Sequence, residues 1–168
     1  LVGGNQGGAG LGHTVILAGG LDCNAGSYGA IEAYCQRDSI VARALHKLRR
    51  GRESRIPLLV EGDLGELTPL VLSEAAGAGD EVAIEVFREV GHYLGIGIGN
   101  FINIFAPDIV AVGGQIGKAG ELILDSARLS TRDTAIPSLY RDCTIRSAMR
   151  IDDAGVLGGA AWALEATR

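Results

Sequence analysis

The clearest pattern in the sequence is a run of apolar residues that recur every three or four positions between residues 80 and 107. Such spacing places apolar side chains on one broad face of an α-helix. Asp80 stands where an N-cap residue would stand, and Pro107 ends the pattern because proline cannot continue a helix. The pattern predicts one long, central, buried helix. Its apolar positions are Ala83, Val86, Phe87, Val90, Leu94, Ile98, Phe101, Ile102 and Phe105.

A row of glycines follows one side of this predicted helix. Gly91, Gly95 and Gly99 are four residues apart, so they lie one above the other. Glycine inside a helix costs about 1 kcal/mol relative to alanine, and a repeated cost requires compensation. We therefore expect another element to pack closely against this row.

Shorter patterns on either side predict a mixture of helices and strands. Predicted helices cover about residues 30–50, with an interruption near Asp38 and Ser39, then 68–79, 119–129 and 153–166. Apolar, β-branched runs at residues 14–18, 108–114 and 144–148 predict buried strands. Helices that alternate with strands predict a layered α/β domain, here one domain over residues 1–168.

Composition narrows the class of protein. The 168 residues suffice for one core, and 47% apolar residues with 26 glycines fit a tightly packed α/β protein. No unbroken apolar run reaches the roughly 18 residues of a membrane span, so we expect a soluble protein. Acidic residues outnumber basic ones by 20 to 15, and the basic ones concentrate in residues 47–55. This distribution favours a basic loop at a helix end over a nucleic-acid surface.

The cysteines indicate the compartment. Cys23, Cys35 and Cys143 are too few and too scattered for a secreted disulfide framework, so we expect a reducing cytoplasm. No signal-peptide pattern is visible. The chain begins at Leu1 and its only methionine is Met149, so we expect it to be part of a longer protein.

The Gly-rich span of residues 12–32 concentrates the candidate chemistry, and two interpretations stay open. His13 and Cys23 supply two potential zinc ligands, but a closed structural site needs four, and Cys35 and Cys143 lack the spacing. Alternatively, the His13 imidazole and the Glu32 carboxylate suit the hydroxyls of a sugar. Glu32 also has a purely structural interpretation, because an acid at a helix start interacts favourably with the helix dipole.

A second candidate lies at the end of the predicted strand 108–114. Gly113, Gly114 and Gln115 leave backbone N–H groups and space where a nucleotide would approach the end of a strand. Neither a P-loop nor a complete GxGxxG motif is present, and ordinary turn geometry also accounts for paired glycines.

Taken together, four stretches resemble the ROK family of sugar kinases and sugar-responsive repressors over nearly the whole chain. They are Gly12 and His13 followed by Gly20, Cys23, Gly26, Gly29, Ile31 and Glu32; AAGAGDEVA; YLGIGIGNFINIFAPDIVAVGGQI; and DAGVLGGAAWAL. The resemblance implies the C-terminal lobe of the actin-like ATPase, or ribonuclease H-like, fold, with a mixed sheet flanked by helices.

The resemblance also implies roles for the candidate residues. The family counterpart of His13 contacts sugar and zinc, that of Glu32 binds the sugar, and the loop of Gly113, Gly114 and Gln115 lies against ATP, which is used with Mg²⁺. A homodimer is expected, because family members commonly dimerise. No membrane contact and no direct nucleic-acid binding are expected for this lobe.

Two departures from the family pattern concern the Gly-rich span. Ala25 and Ala30 stand where the family kinases have zinc-binding cysteines, and alanine cannot ligate a metal. Zinc at His13 and Cys23 is therefore expected to be absent or weak. The sugar-binding glutamate of the family's E-x-G-H motif is replaced by Gly10 or deleted, so one sugar contact is expected to be missing.

The function implied for the intact, two-lobe protein is glucokinase-like phosphorylation of a hexose by ATP. The family's catalytic aspartate and its phosphate loop belong to the N-terminal lobe, so no catalytic residue is expected in these 168 residues and the chain alone should be inactive. The alternative is a non-catalytic sugar-binding domain of a ROK-type repressor, or a degenerate family member.

Overall fold

The computed structural model of the protein describes residues 10–114, 119–149 and 152–166. Within them the helices are α1 (Ile31–Cys35), α2 (Arg37–Arg49), α3 (Ile56–Leu59), α4 (Pro69–Gly77), α5 (Glu81–Phe105), α6 (Glu121–Thr134), α7 (Pro137–Asp142) and α8 (Ala154–Ala166). The strands are β1 (Asp22–Cys23), β2 (Ser27–Tyr28), β3 (Ile109–Val112) and β4 (Thr144–Ser147). None of the helices in these described segments is long and apolar enough to cross a membrane.

Helix α5 is the central element, and its predicted bounds are confirmed. Asp80 caps its first turn, since the Asp80 carboxylate accepts the Ala83 N–H at 3.0 Å. After Phe105 the chain turns at Ala106, whose φ of 44° is left-handed, and Pro107 follows. Along its length α5 buries the apolar face that the sequence periodicity defines.

The glycine row of α5 is covered by α6, as predicted. A methyl group built on Gly91, Gly95 or Gly99 would come within 2.8, 2.7 and 2.6 Å of the Cβ atoms of Ser126, Ser130 and Thr134, respectively. These three residues are also four apart, so one row of small residues faces another. The Thr131 hydroxyl adds a hydrogen bond of 3.0 Å to the Gly95 carbonyl. The close approach of the two backbones therefore compensates for the loss of helix stability that the three glycines cause.

On its other side α5 carries α1, α2 and α4 around a shared apolar core. Gly97, which the sequence analysis did not single out, faces this side. A methyl group there would collide with the Ile31 side chain, with Cγ1 at 2.9 Å. Gly97 therefore lets α1 rest directly on α5, and α1 carries Glu32.

The expected strand over residues 14–18 is wrong. Only one isolated bridge, Val15 with Ala30, forms there, and Val15 and Leu17 are half exposed. The N–H groups of Ile16 and Leu17 both donate to the single carbonyl of Gly29. Two bonds to one carbonyl hold the segment in a bend, which no apolar pattern distinguishes from a strand.

Strands β3 and β4 pair in parallel, with Ile109 opposite Thr144 and Val112 opposite Ser147. The α6–α7 crossover connects them, as parallel strands require. Val110 and Val112 face the core formed with α5 and α6, whereas Ile109 and Ala111 are exposed. The predicted strand over residues 108–114 therefore forms as Ile109–Val112, but only one of its faces is buried.

Several boundaries differ from those predicted. The break between α1 and α2 falls at Gln36, two residues before the expected interruption, and α6 continues to Thr134 instead of ending near residue 129. The short helices α3 and α7 lie in segments that carry too few residues for a periodic pattern. Pro57 is the second residue of α3 and Pro137 the first residue of α7, both within the first helical turn, where proline is tolerated.

Packing against the glycine row makes a stability prediction. Replacing Gly95 by alanine should lower the free energy of unfolding by about 1 to 3 kcal/mol, because the added methyl forces α6 away from α5. Gly77→Ala is the matched control, since a methyl group on this helical glycine meets no atom within 4 Å. Urea unfolding of both variants measures the difference, and equal stabilities would contradict this account of the row.

Charged side chains tie α2 to α5 on the outside of the core. Lys47 Nζ lies 3.0 Å from Glu85 and 2.7 Å from Glu89, and Arg52 bonds both oxygens of Glu85. The Arg52 guanidinium, followed by the Lys47 ammonium, lowers the pKa of Glu85 from 4.5 to about 2. Glu85 is thus held as a carboxylate in the folded protein.

This lowered pKa makes stability depend on acidity. The contribution of Glu85 is complete above pH 4.5 and is lost as the pH falls toward 2, because the unfolded chain takes up the proton first. Glu85→Gln should reduce stability by about 1 kcal/mol or less at pH 7, and by less still at pH 3.5. Urea unfolding at both pH values, with the exposed Glu66→Gln as control, checks this. If the stability difference between the unsubstituted protein and Glu85→Gln grew as the pH fell, this account of Glu85 would be refuted.

Candidate functional site

Backbone hydrogen bonds shape the Gly-rich span. A short 3₁₀ turn (Leu11–His13) leads into the bend, the β1–β2 hairpin follows, and α1 begins at Ile31. The Gly29 N–H donates to the Leu21 carbonyl at 2.7 Å, and the Ile31 N–H donates to Thr14 at 3.1 Å. Gly29 has a φ of +81°, and a side chain there would overlap the Leu17 carbonyl, so only glycine fits.

These bonds bring together the three residues that the sequence singled out in this span. His13 Nδ1 lies 3.1 Å from Glu32 Oε2 and 3.7 Å from Cys23 Sγ. The Cys23 side chain is buried, whereas those of His13 and Glu32 are 50% and 42% exposed. The imidazole and the carboxylate therefore face solvent above a buried thiol.

The arrangement of protons in this cluster decides what it can bind. Both contacts of His13 use the same nitrogen, and Nδ1 carries one proton at most. When Nδ1–H donates to the Glu32 carboxylate, Nε2 is left as an acceptor. Within residues 10–114, 119–149 and 152–166 no hydrogen bond to Nε2 is found. A neutral hydroxyl can donate to Nε2 and another can donate to the carboxylate, which suits a polyol.

The same geometry does not fit a closed structural zinc site. Ala25 is exposed at the hairpin tip and Ala30 is fully buried, and neither offers a donor atom. Burial raises the pKa of the Cys35 thiol to about 12, against the opposing charge of Arg43, so this thiol is a poor ligand.

Three donor atoms nevertheless converge. Those of His13, Cys23 and Glu32 all lie within 4.8 Å of one another. A metal held by them would have to replace the His13–Glu32 hydrogen bond and remove the Nδ1 proton. A set of three donors also leaves one tetrahedral position without a protein ligand. From this competition we expect any metal binding at these three residues to be weak.

The second candidate lies at the carboxyl end of β3. Gly113 and Gly114 are exposed there, and Gly114 has a φ of +70°. The turn therefore presents backbone instead of side chains where the strand ends. Gln115, predicted with them, lies outside the described residues.

One residue next to the cluster was missed by the sequence analysis. The Tyr34 hydroxyl accepts the Leu21 N–H at 3.0 Å, although Tyr34 occupies an apolar position of the helix predicted over residues 30–50. The nearby Gly20 carries the signal that could have found it. A side chain on Gly20 would overlap the Tyr34 hydroxyl, so a buried tyrosine and a glycine mark one close contact.

Comparison with known proteins gives consistent matches. A family model described as the ROK family matches residues 1–166. A glucokinase of Halalkalibacterium halodurans is 33% identical over 89% of this chain and 45% of that protein. The DNA-binding transcriptional dual regulator NagC of Escherichia coli is 33% identical over 83% of this chain and 34% of the regulator. A ROK family glucokinase from Streptomyces griseus, solved in complex with glucose and AMPPNP, has a TM-score of 0.82 and 32% identity over 92% of this chain and 51% of that one.

The structural match, together with helices packed against the parallel β3–β4 pair, confirms the predicted actin-like ATPase fold. The chain belongs to the ROK family. It spans about half the length of the curated glucokinases it matches, 45% in one case and 48% in another.

The donor set makes a prediction about metal content. Protein purified without added metal should hold far less than one zinc ion per chain, because His13, Cys23 and Glu32 leave one tetrahedral position without a protein ligand and the metal competes with the His13–Glu32 hydrogen bond. Elemental analysis by mass spectrometry measures the content, and EDTA should leave the melting temperature unchanged. One zinc ion per chain that survives dialysis would contradict this interpretation.

Proposed function

We propose that this chain is the C-terminal lobe of an ATP-dependent hexose kinase of the glucokinase type. The observation that carries the proposal is the solvent-facing His13–Glu32 pair, set in a fold whose structural relative was solved with glucose and AMPPNP. The reaction would be transfer of the ATP γ-phosphate to a sugar hydroxyl, with Mg²⁺ on the phosphates.

The role of this lobe in that reaction is to bind and orient the sugar. Glu32 Oε2 is already paired with His13, which fixes the carboxylate and leaves His13 Nε2 to accept a sugar hydroxyl. Glu32 would accept a second hydroxyl. Two fixed acceptors orient a sugar ring better than one, because they define a direction as well as a distance. Neither residue needs to move a proton for this purpose.

The turn after β3 is our candidate for contact with the nucleotide. Backbone N–H groups at the end of a parallel strand are suited to phosphate oxygens, and the exposed Gly113 and Gly114 lack side chains that would keep a nucleotide away. ATP would then lie between this lobe and the remainder of the protein. Phosphoryl transfer relies on positioning and charge stabilisation from both sides of such a cleft.

A second candidate is the sugar-sensing domain of a transcriptional regulator. The similarity to NagC, at the same 33% identity as to a glucokinase, is the observation that favours it. The sugar contacts of His13 and Glu32 would be the same in either protein. A homodimer in solution is proposed for both.

The proposal is tested on the full polypeptide that the gene encodes. We expect hexose-dependent release of ADP from Mg-ATP in a coupled assay. His13→Ala should weaken sugar binding about 2- to 12-fold, since it removes one hydrogen bond between neutral groups worth about 0.5 to 1.5 kcal/mol. Glu32→Ala should weaken sugar binding roughly 10- to 160-fold, since a hydrogen bond to a carboxylate is worth about 1.5 to 3 kcal/mol.

His46→Ala is the matched control, because His46 is an exposed histidine on α2 and lies outside the His13–Glu32 pair. Calorimetric titration with sugar separates the two functions. Sugar binding that depends on His13 and Glu32 without any ATP turnover supports the regulator. Unchanged sugar affinity in both variants removes these residues from the sugar site.

A further inference from the structure

A hydrogen bond from outside the cluster holds the loop that carries Cys23. Tyr34 lies two residues after Glu32 in α1, and its side chain is buried, with 3% exposed. Its hydroxyl accepts the N–H of Leu21, which stands directly before β1, at 3.0 Å. The tyrosine thus links α1, which carries Glu32, to the hairpin that carries Cys23.

Tyr34 is itself held against the central helix. Its ring stacks on the ring of Tyr93 in α5, with centroids 4.2 Å apart and planes at 23°. The Arg43 guanidinium lies 5.8 Å from the Tyr34 ring and 5.1 Å from the Tyr93 ring. Aromatic stacking and the cation fix the position of the hydroxyl relative to α5.

The loop meets this hydroxyl through bare backbone. A side chain on Gly20 would overlap the Tyr34 oxygen and would lie 3.0 Å from the Leu17 carbonyl. Only glycine therefore lets the chain pass closely enough for the Leu21 N–H to reach the phenol. The close fit belongs to the backbone, and it does not depend on the side chain of Leu21.

Side-chain packing does little to hold the loop at this point. Leu21 is 48% exposed, and Leu21 and Asp22 line a cavity of about 590 Å³ between the hairpin and α2. Space on that side would let the chain move. The bonds at Leu21 are its N–H to Tyr34 and its carbonyl, which accepts the Gly29 N–H at 2.7 Å. Two residues further on, Cys23 packs against the His13 imidazole.

We propose that Tyr34 is a positioning residue that holds the β1 hairpin in place and thereby keeps Cys23 against His13 and His13 beside Glu32. Tyr34 does not contact the ligand. The inference rests on the proposed function only where sugar affinity is concerned, because the position of Cys23 is measurable without sugar.

The test uses Tyr34→Phe in the full protein, which keeps the ring stack and removes only the hydroxyl. Alkylation of native protein with iodoacetamide, resolved by residue with mass spectrometry, reports loop opening at Cys23. Loss of one hydrogen bond should raise the Cys23 rate roughly 2- to 10-fold. Cys35, buried in α1 beside the same tyrosine, gauges opening of the core and should keep its rate. Sugar affinity should fall by a similar factor.

The matched control is Tyr28→Phe, because Tyr28 lies in β2 of the same hairpin and is 61% exposed. Tyr28→Phe should change the alkylation rate of neither Cys23 nor Cys35. If Tyr34→Phe speeds the alkylation of Cys23 and Cys35 equally, Tyr34 is an ordinary core residue and the inference is overturned. An unchanged alkylation rate at Cys23 would overturn it as well. If alkylation of Cys23 becomes faster while the sugar affinity is unaltered, the inferred positioning of His13 through Cys23 is overturned.

Two further outcomes keep the proposals separable. If the parent protein binds no sugar, the proposed function fails, while the Cys23 rates still decide whether Tyr34 holds the loop. If Tyr34→Phe does not fold, hydrogen exchange of the unsubstituted protein decides instead. The Leu21 amide should then exchange slowly, although its residue is half exposed, and fast exchange would overturn the inference.

Discussion

The approach of α6 to the bare side of α5 is the constraint on which the rest of this structure depends. Because Gly91, Gly95 and Gly99 lack side chains, the two helices meet through backbone and small residues. Helix α5 thereby fills the space between two groups of elements, with α6 and the β3–β4 pair on one side and α1, α2 and α4 on the other. Both candidate sites are attached to this one helix, the cluster through α1 and the glycine turn through β3.

The parts of the structure that the sequence predicted are those with local physical causes. The caps of α4 and α5 at Thr68 and Asp80 follow from short-range hydrogen bonds, and the glycine row follows from helical periodicity. Strand β4 was also placed correctly. The bend at residues 14–18 was not, since it depends on Gly29, a residue more than ten positions away that accepts two of its N–H groups.

The candidate site shows the same division between local and distant causes. Residue types and spacing drew attention to His13, Cys23 and Glu32, and the fold brings their donor atoms together. No sequence pattern could indicate that His13 uses one nitrogen for both neighbours, because this depends on the rotation of a side chain. The bond from Tyr34 to Leu21 was missed because a tyrosine at an apolar helix position looks like a core residue until the hairpin is placed above it.

The continuity of α5 has a mechanical consequence. A helix rises about 1.5 Å per residue, so the 13 residues from Tyr93 to Phe105 form a stiff rod of roughly 18 Å with no proline to act as a joint. Tyr93 supports the ring beneath the Gly-rich loop, and Phe105 lies just before β3. The two ends of this rod cannot swing independently. If the protein closes around a sugar and a nucleotide as proposed above, both candidate surfaces of this chain should therefore move as one body.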